Sequence, residues 1–234
     1  NKKINIHLKI NSGMNRLGIR DRNIFFNILN LLKTNKNIIF QGIYTHFFNI
    51  NNKKIINNQY LFFEYFLKQI PDCFSPIIHV GGSGMIDFVR PYVNYVRCGL
   101  MLYGYGKCGL KKCLSVESKI LKITNIKSGE CVGYDSHFVS KQDMKIALVP
   151  LGYADGISQV MQDELYVEIN NSLCRVVGKI CMDMFMCDVT DVTCEIGDKV
   201  KVFYDAILWS KMSNRSIYEV LTSLNMARLD LHIV

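Results

Sequence analysis

The first hundred or so residues switch repeatedly between two hydrophobic periods, and this switching is what most restricts the folds open to the chain. Residues 4–10 alternate polar and apolar side chains, the pattern of a strand with one buried face. Residues 21–34 place Ile24, Phe25, Ile28, Leu29 and Leu32 at helical spacing, an apolar stripe along one side of a helix. Residues 37–46 read as a second strand. Residues 58–70 read as a second helix, with Tyr60, Leu61, Phe63, Phe66, Leu67 and Ile70 on its buried side. A short apolar strand at 76–80 leads into Gly81-Gly82-Ser83-Gly84, where Ser83 is expected to cap a helical turn running toward Phe88. A fourth strand at 93–97 is closed by Cys98-Gly99.

Strands separated by helices predict a parallel sheet with crossover helices. A (β/α)8 TIM-type barrel is one such architecture, but a whole barrel takes roughly 250 residues. The expected arrangement is therefore the second half of a barrel, strands five to eight, over residues 1–112. From about Cys113 the pattern changes to short strands: 121–126, 145–150, 165–169, 173–180 and 198–204. Asn170-Asn171 is a hairpin turn, since Asn tolerates positive φ. A terminal helix is expected at 216–225, with Tyr218 near its start. The fold class is thus α/β followed by a mostly β domain at 113–234.

Composition excludes several function classes. No run of eighteen uncharged apolar residues occurs, so no membrane span is expected. The nine cysteines are odd in number and include no CxxC pair, which reads as a reducing cytoplasm. The five histidines show no ligand spacing with them, so no metal is expected. The net charge of +8 is spread over doublets such as Lys53-Lys54 and Lys111-Lys112, and a nucleic-acid partner is not expected. The chain opens Asn1-Lys2-Lys3 with neither a Met nor a signal-peptide pattern, and is expected to be a piece of a longer protein.

Barrel enzymes place their chemistry at the C-terminal ends of the strands and often bind phosphate in the last two loops. Those loops would hold Gly81-Gly82-Ser83-Gly84 and Cys98-Gly99-Leu100, where backbone N–H groups and the Ser83 hydroxyl can meet an anion. An ordinary strand-to-helix turn has the same composition. Lys9, Arg16, His46, Ser83 and Arg97 would all point to one mouth, and that convergence is what marks a site.

Whole segments carry a more specific signal. The run His7-Leu8-Lys9-Ile10-Asn11-Ser12-Gly13-Met14-Asn15-Arg16-Leu17-Gly18 resembles the HLKxDTGMxRLG segment of alanine racemases. Thr45-His46-Phe47, Val96-Arg97-Cys98-Gly99-Leu100-Met101-Leu102-Tyr103-Gly104 and Gly129-Glu130-Cys131-Val132-Gly133-Tyr134 are similar to further blocks of that family. So are residues 150–156 and 177–184, and all stand in the family's order.

The resemblance implies a cytoplasmic isomerase that interconverts L- and D-alanine with pyridoxal 5'-phosphate for peptidoglycan synthesis. It implies that Tyr134 is one of two bases, supported by a chain through His46 to Arg97. A phenol's unperturbed pKa is about 10, so such a base needs neighbours that favour its anion. Arg97 would also meet the cofactor's pyridine nitrogen, where a group that cannot accept a proton limits electron withdrawal and favours plain proton exchange. Ser83, Gly99, Leu100 and Tyr218 would hold the phosphate, with His46 also against the cofactor. Arg16, Tyr153, Met182 and Asp183 would receive the substrate, and Lys9 would be carbamylated to orient Arg16. Tyr134, Tyr153, Met182 and Asp183 would reach the site of the other subunit in a homodimer. The block with the cofactor-binding lysine, KxNAYGHG, is absent, so the chain alone is expected to be inactive, and the open strand edges of half a barrel are expected to make it poorly soluble. Gly82 stands where Asn is usual, Asn11-Ser12 where Asp-Thr is usual, Gln159 follows without the customary Arg, and the tail at 227–232 departs too. Two other readings are a racemase for serine, lysine or arginine, and a non-catalytic cofactor-binding relic.

Overall fold

The computed structural model describes residues 2–203 and 205–233. It divides into two compact units, at the step from Lys111 to Lys112.

In the first unit, β1 (Ile4–Lys9), β2 (Ile38–Thr45), β3 (Ile77–Val80) and β4 (Tyr95–Val96) form one parallel sheet in that order. Helices α1 (Arg22–Thr34) and α2 (Lys53–Leu67) make the first two crossovers. Asp21 caps α1 by accepting from the Ile24 N–H, and Asn52 caps α2 by accepting from Lys54 and Ile55. Both short polar side chains satisfy donors that a helix start leaves unpaired. One face of the sheet, carrying Leu8, Ile10, Ile43 and Val80, packs against Phe25, Leu29, Ile56, Tyr60, Phe63 and Phe66 of the helices. Each such side chain buried contributes about 1.5–3 kcal/mol. The opposite face is polar, and it carries the candidate site.

Several details differ from the sequence reading. Helix α2 begins at Lys53 rather than 58, because Asn52 supplies the cap. Leu61 is exposed, not buried: it lies on the far side of α2 from the sheet. Ser83 does not cap the turn at Ser83–Phe88; Gly82 occupies the cap position without a side-chain bond, and the Ser83 hydroxyl is used elsewhere. The fourth strand shrinks to Tyr95–Val96.

The second unit is an antiparallel sheet of seven strands in the order β5-β13-β10-β11-β12-β9-β6. They are β5 (Val116–Lys119), β6 (Lys122–Ile126), β9 (Met144–Val149), β10 (Tyr166–Ile169), β11 (Ser172–Val177), β12 (Phe185–Asp188) and β13 (Lys199–Phe203); β7 (Cys131–Val132) and β8 (Phe138–Val139) form a separate hairpin. The two edge strands are halves of one bent stretch. Ile120 N–H bonds Asp198 O while the next residue, Leu121, bonds Leu148 O. The sheet thereby curls on itself, which removes its open edges. Asn170 and Asn171, at φ 48° and 63°, turn β10 into β11 as expected. Phe185, Val167, Val200, Val202 and Phe203 are fully buried inside. Two helices follow: α3 (Ala206–Ser213), which the sequence reading missed, and α4 (Ile217–Ser223), shorter than expected. Ser216 and Glu219 form a reciprocal capping box at the start of α4. Tyr204, at the end of an expected strand, lies outside the described residues.

Candidate active site

In the first unit the site grows out of strand register. Lys9 pairs with Tyr44, and Tyr44 with His79, so the three side chains form one row on the polar face. Beyond β1 the chain folds back: Asn11 Oδ1 accepts from the N–H groups of Gly13 (3.2 Å) and Asn15 (2.9 Å), and Ile19 N–H returns to Lys9 O at 2.7 Å. Gly18 sits at φ +116°, where a Cβ would lie 2.9 Å from Lys9 O, so only glycine lets this loop close. Arg16 rides on that loop. Ser12 Oγ lies 2.6 Å from Thr45 Oγ1 and accepts from Gln59 Nε2 at 2.9 Å.

The row is rich in uncompensated positive charge. Arg97 donates through Nη1 to His79 Nδ1 (2.6 Å) and through Nη2 to Thr45 O (3.0 Å), with His46 Nδ1 at 3.4 Å. Its guanidinium stands 4.8 Å over the Tyr44 ring, a cation–π contact, and Lys9 Nζ lies 6.0 Å from the same ring. Burial lowers the Lys9 pKa, and the nearby Arg16 and Arg97 lower it further. Burial, then Arg97, Arg16 and Lys9, lower that of His46. His79 is pushed down to about 4 by burial, Arg97 and His7. No carboxylate among the described residues contributes to these shifts, so the row favours anionic ligands and neutral imidazoles.

Ser83 is 4% exposed, and its Oγ accepts from the N–H groups of both Gly99 and Met101 at 3.2 Å. That clamp joins the two loops and leaves the hydroxyl hydrogen free to donate. The N–H groups of Gly82, Ser83 and Leu100 donate to no group among the described residues. Gly99 has open space where a Cβ would be.

In the second unit, Tyr134 follows Gly133 (φ +74°) and precedes Asp135 and Ser136, both with positive φ. Lys179 Nζ pairs with Asp135 Oδ2 at 2.5 Å across this turn. Positive φ at non-glycine residues is costly and tends to persist where function needs it. Tyr134 is 67% exposed and lines an open cleft of about 420 Å³ with Val132, Ile146, Cys181 and Met186. Tyr153 and Ala154 donate their N–H groups to Cys181 O (3.0 Å) and Met182 O (2.9 Å), which ties segments 152–156 and 181–183 together. Buried Asp155 accepts from Gly152 N–H (2.8 Å) and from Arg228 Nε (2.7 Å). The unusual tail thus supplies a partner for a buried carboxylate.

The structure therefore brings Lys9, Arg16, His46, Ser83, Arg97, Gly99 and Leu100 to the strand ends of the first unit. It places Tyr134, Tyr153, Met182 and Asp183 on loops of the second, with Tyr218 in the first turn of α4. The sequence reading missed His79, Tyr44 and His7. The signal was present in the two-residue spacing: Tyr44 of β2 and His46 just past its end are two apart, as His7 and Lys9 are on β1. Among the described residues no group of three His, Cys, Asp or Glu could hold a metal.

Comparison with known proteins agrees with the segment pattern. The family profile "Alanine racemase, C-terminal domain" matches residues 113–231, and "Alanine racemase, N-terminal domain" matches 1–107. An alanine racemase of Borreliella burgdorferi is 36% identical over 95% of this chain, which covers 64% of that protein. The solved alanine racemase of Clostridium difficile superposes with a TM-score of 0.88 at 29% identity, over 96% of this chain and 63% of that one. The Bartonella henselae alanine racemase, solved with covalently bound pyridoxal phosphate, gives a TM-score of 0.79 at 28% identity, over 96% of this chain and 65% of that one. The chain thus spans under two thirds of the length of the relatives it matches. By these matches the chain belongs to the alanine racemase family.

Proposed function

We propose that this chain is part of a pyridoxal-phosphate enzyme that interconverts L- and D-alanine, and that its two units are the second half of a (β/α)8 barrel and the β-rich domain that follows it. The observation that carries the reading is the Ser83 clamp beside an acid-free row of Lys9, Arg16 and Arg97. The donor set fits the cofactor. A hydroxyl hydrogen and three N–H groups with no acceptor among the described residues, together with surrounding positive charge, suit a phosphate dianion.

Ser83, Gly99 and Leu100 would hold the phosphate, with Tyr218 as a further donor, and His46 would lie beside the cofactor. When bound, the cofactor withdraws electrons from the amino acid's α-carbon and acidifies its proton. Arg97 cannot accept a proton, so at the pyridine nitrogen it would hold the ring neutral there and restrict the reaction to proton exchange. Tyr134 Oη would take the α-proton from L-alanine and return it in the reverse direction, with His46 and Arg97 as the groups that support it. Arg16 would bind the substrate carboxylate, oriented by Lys9 in carbamylated form; the depression of the Lys9 pKa favours the neutral amine that takes up carbon dioxide. Tyr153, Met182 and Asp183 would close the substrate side. In a homodimer the second-unit residues of one subunit would complete the site of the other. The enzyme would act in the cytoplasm and supply D-alanine for peptidoglycan.

The test is to express the full-length protein, record its visible spectrum and follow L-alanine to D-alanine. Expected are a cofactor absorbance that borohydride fixes to a lysine, and activity lost in Tyr134→Phe. A soluble, cofactor-loaded protein that leaves alanine unchanged would refute the proposal.

A further inference from the structure

We propose that His7 and Gln41 are positioning residues that act through His79 to fix the orientation and hydrogen bonding of Arg97. The inference rests on the reading of Arg97 as the cofactor-facing group and adds what holds it in place.

The argument begins from a donor with no choice. A guanidinium has five N–H groups and no acceptor. Arg97 Nη1 lies 2.6 Å from His79 Nδ1, so that nitrogen must present its lone pair. A neutral imidazole with a bare Nδ1 carries its hydrogen on Nε2. His79 Nε2 lies 2.8 Å from His7 Nδ1, which must then be bare in turn. The remaining hydrogen of His7, on Nε2, faces Gln41 Oε1 at 3.3 Å. One permanent cation thus sets the tautomers of two histidines in series, and the chain ends on a carboxamide oxygen able to accept. Read in the other direction, Gln41 and His7 hold the lone pair of His79 on Arg97.

The fold makes room for this chain at one position. His7 pairs in register with Gly42, and a Cβ on residue 42 would lie 2.2 Å from His7 Nδ1. Only glycine on β2 lets the His7 imidazole cross toward β3, where its ring centroid comes within 5.0 Å of that of His79. Tyr44 stacks on the other side of His79, 4.7 Å away and 11° from parallel. His79 is therefore faced by His7 from β1, by Tyr44 from β2 and by Arg97 after β4, with Lys9 next along the row. Arg97 and burial both disfavour an imidazolium there, which keeps the acceptor available.

The experiment is nitrogen-15 NMR of the histidine side chains in the full-length protein at neutral pH, combined with steady-state kinetics. His79 and His7 are expected to report as Nε2–H tautomers. His7→Phe should change the His79 ring shifts and lower kcat about tenfold, as loss of an outer hydrogen-bonding group does, with a smaller change in the alanine KM. His7→Gln can accept from His79 and donate to Gln41, and should restore both readings. Gly42→Ala should displace His7 and reproduce the His7→Phe spectrum. A hydrogen on His79 Nδ1, or an unchanged His79 spectrum in His7→Phe, would overturn the proposal. The tautomers are read without turnover, so an enzyme inactive on alanine would defeat the functional reading and leave this test intact.

Discussion

Ser83→Ala separates a phosphate clamp from an ordinary turn. The hydroxyl oxygen is acceptor for two backbone N–H groups, Gly99 and Met101, both at 3.2 Å. Removing it leaves both donors without a partner in a part-buried place. Each unsatisfied group costs about 1–3 kcal/mol when buried, and the long distances and partial exposure put each at the low end, so the loss is about 2 kcal/mol. For a unit of this size that is a fall in Tm of roughly 10 °C. The second loss is separate. The hydroxyl hydrogen is used by no group among the described residues, and a hydrogen bond from it to a phosphate oxygen is worth about 1.5–3 kcal/mol, or about 10- to 100-fold in cofactor affinity. Calorimetry on the cofactor-free protein reads the first loss, and equilibrium dialysis against pyridoxal phosphate reads the second. A lower Tm with unchanged cofactor affinity would mean that Ser83 only joins two loops, and the phosphate assignment would fail. An unchanged Tm would show that the clamp is not formed.

Three further outcomes are expected. Tyr134→Phe should lower kcat from L-alanine by about 10²- to 10⁴-fold, the usual worth of a positioned base. Its side chain is 67% exposed, so calorimetry should show an unchanged Tm. Gly156→Ala places a Cβ 2.4 Å from Ser223 O at φ +108°, and should cost at least about 1–3 kcal/mol, read as a lower urea midpoint. His79 titrates near 4 in the folded protein against 6.5 unfolded, so the unfolded chain binds more protons between those values. Stability from this group is complete above pH 6.5 and falls as pH drops toward 4; relative to His79→Gln, the wild type should lose Tm across that window and not above it.

Much of this protein could be read from its residues because the relevant signals are local. Helices α1 and α2 follow from apolar side chains three and four apart, although the Asn52 cap that starts α2 five residues earlier, at Lys53, carries no apolar period of its own. The β10–β11 hairpin follows from Asn170-Asn171, whose side chains tolerate the left-handed turn. The segments around Lys9, His46, Arg97, Tyr134 and Met182 are legible as contiguous blocks, and all but that of His46 carry a glycine in the adjoining loop.

What only the tertiary structure decided depends on pairing between distant strands. That His79 receives Arg97, that His7 reaches over Gly42, and that Ser83 bonds the loop of Gly99 instead of capping its own turn are matters of register, and register brings together residues far apart in sequence. The closure of the β sheet is likewise set where residues 116–126 bend from β13 to β9, a change of partner that leaves no period in the sequence. Arg228 gives the same lesson: it stands in a tail without pattern, yet it neutralises the buried Asp155 that shapes the Tyr153 turn. Local chemistry determined which segments form and what they carry; the burial of one sheet face against α1 and α2 determined which polar side chains were left to meet on the other.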